Sequence, residues 1–193
     1  MRTPAGSVWT CISTVKTLLR DFITQRMPIR IGIITVSTRS SRGERPDTSG
    51  PALADAVTQQ GWQIIQTAIV PDDLGKLSKT LVEWADSGAM DIILTTGGTG
   101  FSPYDVTPEA TRAVLHRHTP GLDEAMRSSG LHITPHAMLS RATSGIRART
   151  LIVNLPGSPR AATENLAVII PALPHAVQLL QEDPTSEAGH RPD

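Results

Sequence analysis

The chain has 193 residues, zero formal net charge and one cysteine, Cys11. That length suits one domain with extensions, the lone cysteine excludes an internal disulfide or a cysteine-built zinc site, and the balanced charge offers no bulk attraction to nucleic acid or acidic polymers. Aromatic residues are 3% of the sequence, too few for the stacking platforms that hold single strands, and no apolar run approaches the ~20 residues of a membrane helix.

Residues 1–28 read as an N-terminal extension. Val8, Ile12, Val15, Leu18, Leu19, Phe22 and Ile23 recur at helical spacing with Lys16, Arg20 and Arg26 between them, a basic amphipathic pattern. It lacks the compact apolar core and small-residue cleavage site of a signal peptide. A surface helix of the domain, a targeting or membrane-surface segment, and a segment outside the working domain are the three readings. The last is favoured, because Met27 stands just before the first strand and can serve as a translation start.

The domain is expected over 29–182, with a flexible polar tail over 183–193. Ile31, Ile33, Ile34 and Val36 form an apolar, β-branched run typical of a strand buried on both faces. A polar loop, Ser37 to Gly50, follows and carries Arg39, Arg42, Glu44, Arg45 and Asp47; loops of that length are usually functional. A helix from Pro51, capped by Gly50 or Ser49, should end at Gly61. Trp62 to Val70 reads as a second strand. Pro71, Asp72 and Asp73 then lead into a helix with Leu74, Leu77, Leu81, Val82 and Trp84 on its apolar stripe, closed by Gly88. Of Asp72 and Asp73, one is expected to be a helix cap.

Ile92, Ile93 and Leu94 form the third strand. Thr95 to Gly100 interleave threonines with Gly97, Gly98 and Gly100, a turn whose backbone can approach a phosphate or carboxylate closely. Asp105 follows, and Thr107 with Pro108 reads as cap and first residue of a helix reaching His118. After Pro120 and Gly121, Leu122 to Ser129 is a short helix; residues 131–139 fit no pattern. Arg141 to Ile146 and Thr150 to Leu155 look like strands around an arginine-rich turn. Ser158 caps a helix begun by Pro159, with helical patterns over Ala161–Ile170 and Leu173–Gln181. Strands alternating with helices predict an α/β fold: a doubly wound, mostly parallel sheet with helices on both faces, which brings Asp47, Asp72 and Asp105 to one sheet edge.

The chain has no G-x-x-x-x-G-K-[ST] loop, no G-x-S-x-G elbow, and proline at the third glycine of a dinucleotide fingerprint. His116/His118 and His132/His136 lack a third ligand at a recognised zinc spacing. Asp105, beside the glycine turn, would repel a phosphate unless a cation intervened; magnesium, held by one or two carboxylates plus substrate phosphates, fits that position. Seven arginines between Arg112 and Arg160, against only Asp123 and Glu124, suit an anionic small ligand.

Thr95–Thr111, with Asp72 before it and Asn154-Leu-Pro-Gly-Ser-Pro159 after it, resembles the MogA/MoaB family of molybdenum-cofactor biosynthesis proteins and the related domains of gephyrin-type proteins. Asp47-Thr-Ser-Gly-Pro51, Pro120 to Arg127 and Thr134 to Arg141 match in the same order, so the resemblance runs from about Ile29 to Gln181. It implies a cytoplasmic homo-oligomer, a trimer or sometimes a hexamer, that transfers AMP from Mg-ATP to molybdopterin, releasing pyrophosphate. It assigns Asp72 and Asp105 as catalytic and Mg²⁺-holding residues. It also implies that Asp47, Ser49, Gly50, Thr96, Gly97, Gly98, Thr99, Gly100, Ser102, Pro156, Gly157 and Ser158 bind molybdopterin or nucleotide, with arginines from the 112–160 set assisting. The alternatives are a molybdopterin-binding member with little transferase activity and a scaffold use of the domain. The family often carries arginine where this chain has Tyr104 and aspartate where it has Thr38.

Overall fold

A computed structural model describes residues 28–182. Apart from Pro28, the extension read over 1–28 lies outside the described residues, as does the tail over 183–193. Six strands form one sheet in the order β2-β1-β3-β6-β5-β4. Strands β1 (Arg30–Val36), β2 (Gln63–Val70), β3 (Ile92–Thr96) and β6 (Thr150–Leu155) run parallel. Strands β5 (Ser144–Arg147) and β4 (Arg117–His118) add an antiparallel margin. The predicted doubly wound sheet is therefore present.

Side chains alternate along a strand, so each central strand feeds two cores. Ile31 and Ile33, Ile92 and Leu94, and Leu151, Val153 and Leu155 pack on one face with Leu53 of helix α2 (Ser49–Gln59), Leu166 of α6 (Pro159–Ile169) and Leu173 of α7 (Leu173–Leu180). Ile34, Val36, Ile93 and Ile152 point to the other, against Leu77, Leu81 and Trp84 of α3 (Leu74–Asp86) and Ala110 of α4 (Thr107–Val114). At the sheet edge opposite the strands' carboxyl ends, Asp91 is buried and accepts from the Arg30 guanidinium and backbone and from Gln181 Nε2 at 2.7–3.2 Å. It ties the last helix to the sheet.

Three local predictions change. The Ser37–Gly50 stretch contains a one-turn helix, α1 (Thr38–Ser41), capped by Ser37; four residues carry too little periodicity to read. The helix expected to reach His118 stops at Val114, because Leu115 turns to extended backbone and Arg117 and His118 pair with Ile146 and Gly145. A two-residue strand gains its identity only from that pairing. Thr107 begins α4 but does not cap it through its side chain: its buried hydroxyl donates instead to the Gly97 carbonyl at 2.8 Å. Residues 135–139 form a 3-10 turn, while α5 (Pro120–Leu131) spans the predicted short helix.

Asp123, on the first turn of α5, is buried, and one of its oxygens accepts from the Ser144 amide at 3.0 Å. The other, Oδ1, has no partner among the described residues. Burial pushes this carboxyl above its ordinary value, against the lowering effect of Ser144, Arg127 and Arg112. The folded state therefore binds the proton more tightly than the unfolded state does. Stability conferred by the neutral form is complete below the unfolded value of 3.8 and is lost as pH rises through the raised folded value. Asp123→Asn keeps the acceptor for Ser144 and removes the charge. Its stability relative to wild type should rise between pH 3 and pH 7 by about 1 kcal/mol, the low end for an unpaired buried polar group because the new amide N–H is itself unpaired. Urea unfolding at the two pH values measures this; a parallel loss in both proteins would refute it.

Candidate active site

The chain runs from β1 outward to β2, then returns to the other side of β1 as β3. The β1–β3 boundary is therefore the switch point at which open α/β sheets form a crevice beyond their carboxyl ends. A cleft of about 870 Å³ lies there. The ends of β1, β2, β3 and β6 supply its walls.

The turn after β3 forms the floor. Gly97 and Gly98 both take positive φ, 100° and 63°. A side chain on Gly97 would strike the Val36 carbonyl, and one on Gly157 would meet the Gly97 α-carbon at 3.2 Å. Three strand ends thus converge where only backbone fits. Thr96 Oγ1 donates to the Pro156 carbonyl at 2.6 Å, the Gly97 amide to the Leu155 carbonyl at 3.2 Å, and the Thr107 amide to the Gly98 carbonyl at 3.1 Å. The Gly98 amide has no acceptor among the described residues, which leaves a backbone donor for an anion.

Asp72 and Asp73 divide their roles as the sequence suggested. Asp73 caps α3 by accepting from the Lys76 amide at 2.8 Å. Asp72 lines the cleft. Its Oδ2 accepts from both the Thr38 amide and the Thr38 hydroxyl, at 2.7 and 2.8 Å, and its own amide donates back to Thr38 Oγ1 at 3.0 Å. Its Oδ1 takes no hydrogen bond from the described residues and lies 3.3 Å from where a Gly98 side chain would begin. Thr38 donates to Asp72 where a carboxylate at that position would repel it.

Asp105 stands on the other side of the turn. Its Oδ2 accepts from the amides of Gly100 and Ser102, at 2.9 and 3.2 Å. Arg141 clamps the same loop from behind, donating to the carbonyls of Gly100 and Asp105 and pairing with Glu109. Asp47 is more fully committed: it accepts from Thr35 Oγ1 at 2.7 Å and from the amides of Ser49 and Gly50 at 3.0 and 3.1 Å, at the start of α2. Ser49 Oγ donates to the Gly157 carbonyl at 2.7 Å, and Ser158 caps α6.

Of the residues proposed from sequence, Asp47, Ser49, Asp72, Thr96, Gly97 and Gly98 line the cleft together with Ser102, Asp105, Gly157 and Ser158. Gly50 lies behind Asp47, facing a separate recess beside β1 and β2. Thr99, Gly100 and Pro156 face a different, mostly apolar pocket between α5 and α6. The cations require a correction. None of the seven arginines from the 112–160 set lines the cleft. Arg112 and Arg141 pair with Glu109, Arg147 with Asp86, Arg149 with Glu182 and Arg160 with Glu164, while Arg127 donates to the Ala142 carbonyl. The guanidinium groups on the cleft are those of Arg39, Arg42 and Arg45, from the loop after β1, joined at its mouth by the exposed Tyr104. The signal available was the length of that loop together with its three arginines.

Residues 32–175 match the family described as "Probable molybdopterin binding domain". The chain belongs to this family. The match takes in β2, β3, β6, all but the first two residues of β1, and the whole cleft. Among curated relatives, a molybdopterin adenylyltransferase of Helicobacter pylori is 38% identical over 154 residues, covering 79% of this chain and 88% of that protein. Gephyrin of Dictyostelium discoideum is 43% identical over 81% of this chain, which spans only 23% of gephyrin's length. The crystal structure of the molybdopterin biosynthesis enzyme MoaB from Thermus thermophilus superposes with a TM-score of 0.76 at 48% identity, covering 81% of this chain and 98% of the other. Among the described residues, no helix is long and apolar enough to cross a membrane.

Proposed function

We propose that this chain is a molybdopterin adenylyltransferase of molybdenum-cofactor biosynthesis. In the reaction, an oxygen of the molybdopterin phosphate forms a bond to the α-phosphorus of ATP. The bond from that phosphorus to the α,β-bridging oxygen breaks, and pyrophosphate leaves with the electron pair. The observation that carries the reading is the pair of carboxylates, Asp72 and Asp105, on either side of the Gly97–Gly98 turn in one large cleft. The identity with adenylyltransferases over most of both chains supports it.

The donor set fits Mg²⁺. Asp72 offers an uncommitted Oδ1 fixed by Thr38, and Asp105 a carboxylate held by two amides; among the described residues there is no group of three or more His, Cys, Asp or Glu suited to a metal. One or two carboxylates completed by substrate phosphates is the arrangement magnesium favours over an all-protein cage. When bound, the ion would neutralise phosphate charge and help align the reacting groups. The chain's own part is positioning, since the attacking oxygen comes from a substrate and no protein nucleophile is needed. The Gly98 amide donates to a phosphate oxygen, Thr38 keeps Asp72 aimed at the turn, and Arg141 keeps the Asp105 loop in place. We infer a cytoplasmic homotrimer from the same resemblance.

The test is purified chain with molybdopterin and Mg-ATP, following pyrophosphate and adenylyl-molybdopterin together. Turnover of both is expected. Bound molybdopterin without pyrophosphate would replace the reading with a binding member of the family, and binding of neither substrate would favour a scaffold use of the domain.

A further inference from the structure

Three arginines of the loop after β1 line the cleft and have no structural task among the described residues. The side chains of Arg39 and Arg45 make no hydrogen bond or ion pair with any described residue, and Arg42 reaches only Glu44, at 3.9 Å with both groups exposed. Other guanidinium groups among the described residues are tied into the fold: Arg141 to two carbonyls and Glu109, Arg147 to Asp86 at 2.7 and 2.9 Å, Arg30 to Asp91; Arg117, on β4, is unpaired like the three but lies away from the cleft. Yet all three line the same cleft as Asp47, Asp72, Asp105 and the glycine turn. The cleft therefore holds carboxylates and an unpaired backbone amide together with three guanidinium groups from the loop after β1.

A ligand that satisfies both sets of groups is an extended polyanion, with one part beside the carboxylates, screened by a cation, and another among the arginines. A single phosphate ester is too short and too weakly charged to need three guanidinium groups. Arginine's planar fork suits terminal phosphate oxygens, which it binds through paired donors. We propose that Arg39, Arg42 and Arg45 form a polyphosphate subsite that takes the β- and γ-phosphates of the nucleotide. This leaves the α-phosphorus beside Asp72 and holds the departing pyrophosphate on the arginine wall. The assignment of the phosphates to ATP rests on the adenylyltransferase reading; the polyphosphate subsite itself does not. Molybdopterin's single phosphate is the competing occupant, which the titration separates from a polyphosphate.

The full chain and an Arg39→Gln/Arg45→Gln double variant should be titrated calorimetrically with inorganic tripolyphosphate, AMP and molybdopterin. Both positions are exposed and structurally uncommitted, so the variant should fold; an unchanged melting temperature checks this. The expected result is tripolyphosphate affinity reduced by about 10-fold or more, with AMP and molybdopterin affinities within about twofold of wild type, and tripolyphosphate binding that weakens with salt in the wild type. Arg39→Lys should keep part of the affinity, because charge survives and the fork does not. Absent tripolyphosphate binding by the wild type, or affinity unchanged in the double variant, overturns the proposal. So does a loss confined to molybdopterin, which would make this wall the pterin phosphate's site. The two readings separate cleanly. Arginine-dependent tripolyphosphate binding without pyrophosphate release leaves the subsite standing and removes the transferase. Pyrophosphate release with an unchanged KM for ATP in the double variant does the reverse.

Discussion

Asp72→Asn is expected to reduce the rate of adenylyl transfer by about 10²-fold or more, beyond the ~10–100-fold that outer-shell partners of a metal ligand cost. Stability should change by no more than about 1 kcal/mol, a shift of ~2–4 °C in melting temperature for a domain of this size. The two effects separate because Asp72 divides its oxygens. Oδ2 serves the fold, accepting from the Thr38 amide and hydroxyl. Oδ1 has no partner among the described residues and faces the Gly98 turn. Asparagine can present its carbonyl to Thr38 and keep that link, but it places an uncharged amide where an anionic oxygen was. Single-turnover assays beside thermal denaturation measure both effects. A rate within a few-fold of wild type would remove Asp72 from the proposed machinery. The paired comparison at Asp105 is informative in a different way. Its Oδ2 holds the Gly100 and Ser102 amides, so Asp105→Asn should preserve the loop and test charge alone, whereas Asp105→Ala also releases the turn. Similar losses in both variants would identify the charge as the essential property. A loss only in the alanine variant would reduce Asp105 to a loop brace.

The central architecture was legible because it rests on long-wavelength signals. Three of the four parallel strands, β1, β3 and β6, are dominated by buried apolar residues and are covered on two faces by helices whose ends carry glycine, proline or a capping oxygen. The same rule that reads strands followed by helices puts the residues after each strand at one edge, so Asp47, Asp72 and Asp105 could be brought together without coordinates, while Ser158 read only as a helix cap and joined them through the family resemblance. What resisted reading depended on which groups pair across the fold. The arginines between 112 and 160 looked like free cations, yet two of their pairs, Arg112 with Glu109 and Arg160 with Glu164, sit at helical spacing and were open to sequence inspection. The pairing of Arg147 with Asp86, 61 residues away, was not. Likewise Thr107 has the chemistry and the position of a cap, but its hydroxyl is taken by the Gly97 carbonyl because the turn folds back over the helix start. Thr99, Gly100 and Pro156 show a related limit. Neighbours in a tight turn face different sides, so one motif here borders two pockets.

The glycine turn carries the other large prediction. Gly97→Ala is expected to destabilise the chain by roughly 3 kcal/mol or more. A left-handed backbone costs an ordinary residue about 1–2 kcal/mol, and overpacking a close-packed site adds about 1–3 kcal/mol. Both apply, since Gly97 has φ 100° and its new methyl group would enter the Val36 carbonyl. Nothing flexible can yield, because that carbonyl ends β1 and Gly157 closes the other side at the end of β6. Urea unfolding gives the stability, and nucleotide binding at a temperature where the variant is folded reports the site. Relief of the clash requires β1 and β3 to separate at their carboxyl ends, which would widen the crevice between Asp72 and the Gly98 amide, so weakened binding should accompany the lost stability. Gly61→Ala, after the end of α2 and away from the cleft, is the control. It shares positive φ, 72°, but nothing lies within 4 Å of the added carbon. It should cost only the backbone term of about 1–2 kcal/mol and leave binding unchanged. If the two variants were equally destabilised, the convergence of three strand ends at Gly97 would not be what makes glycine necessary there.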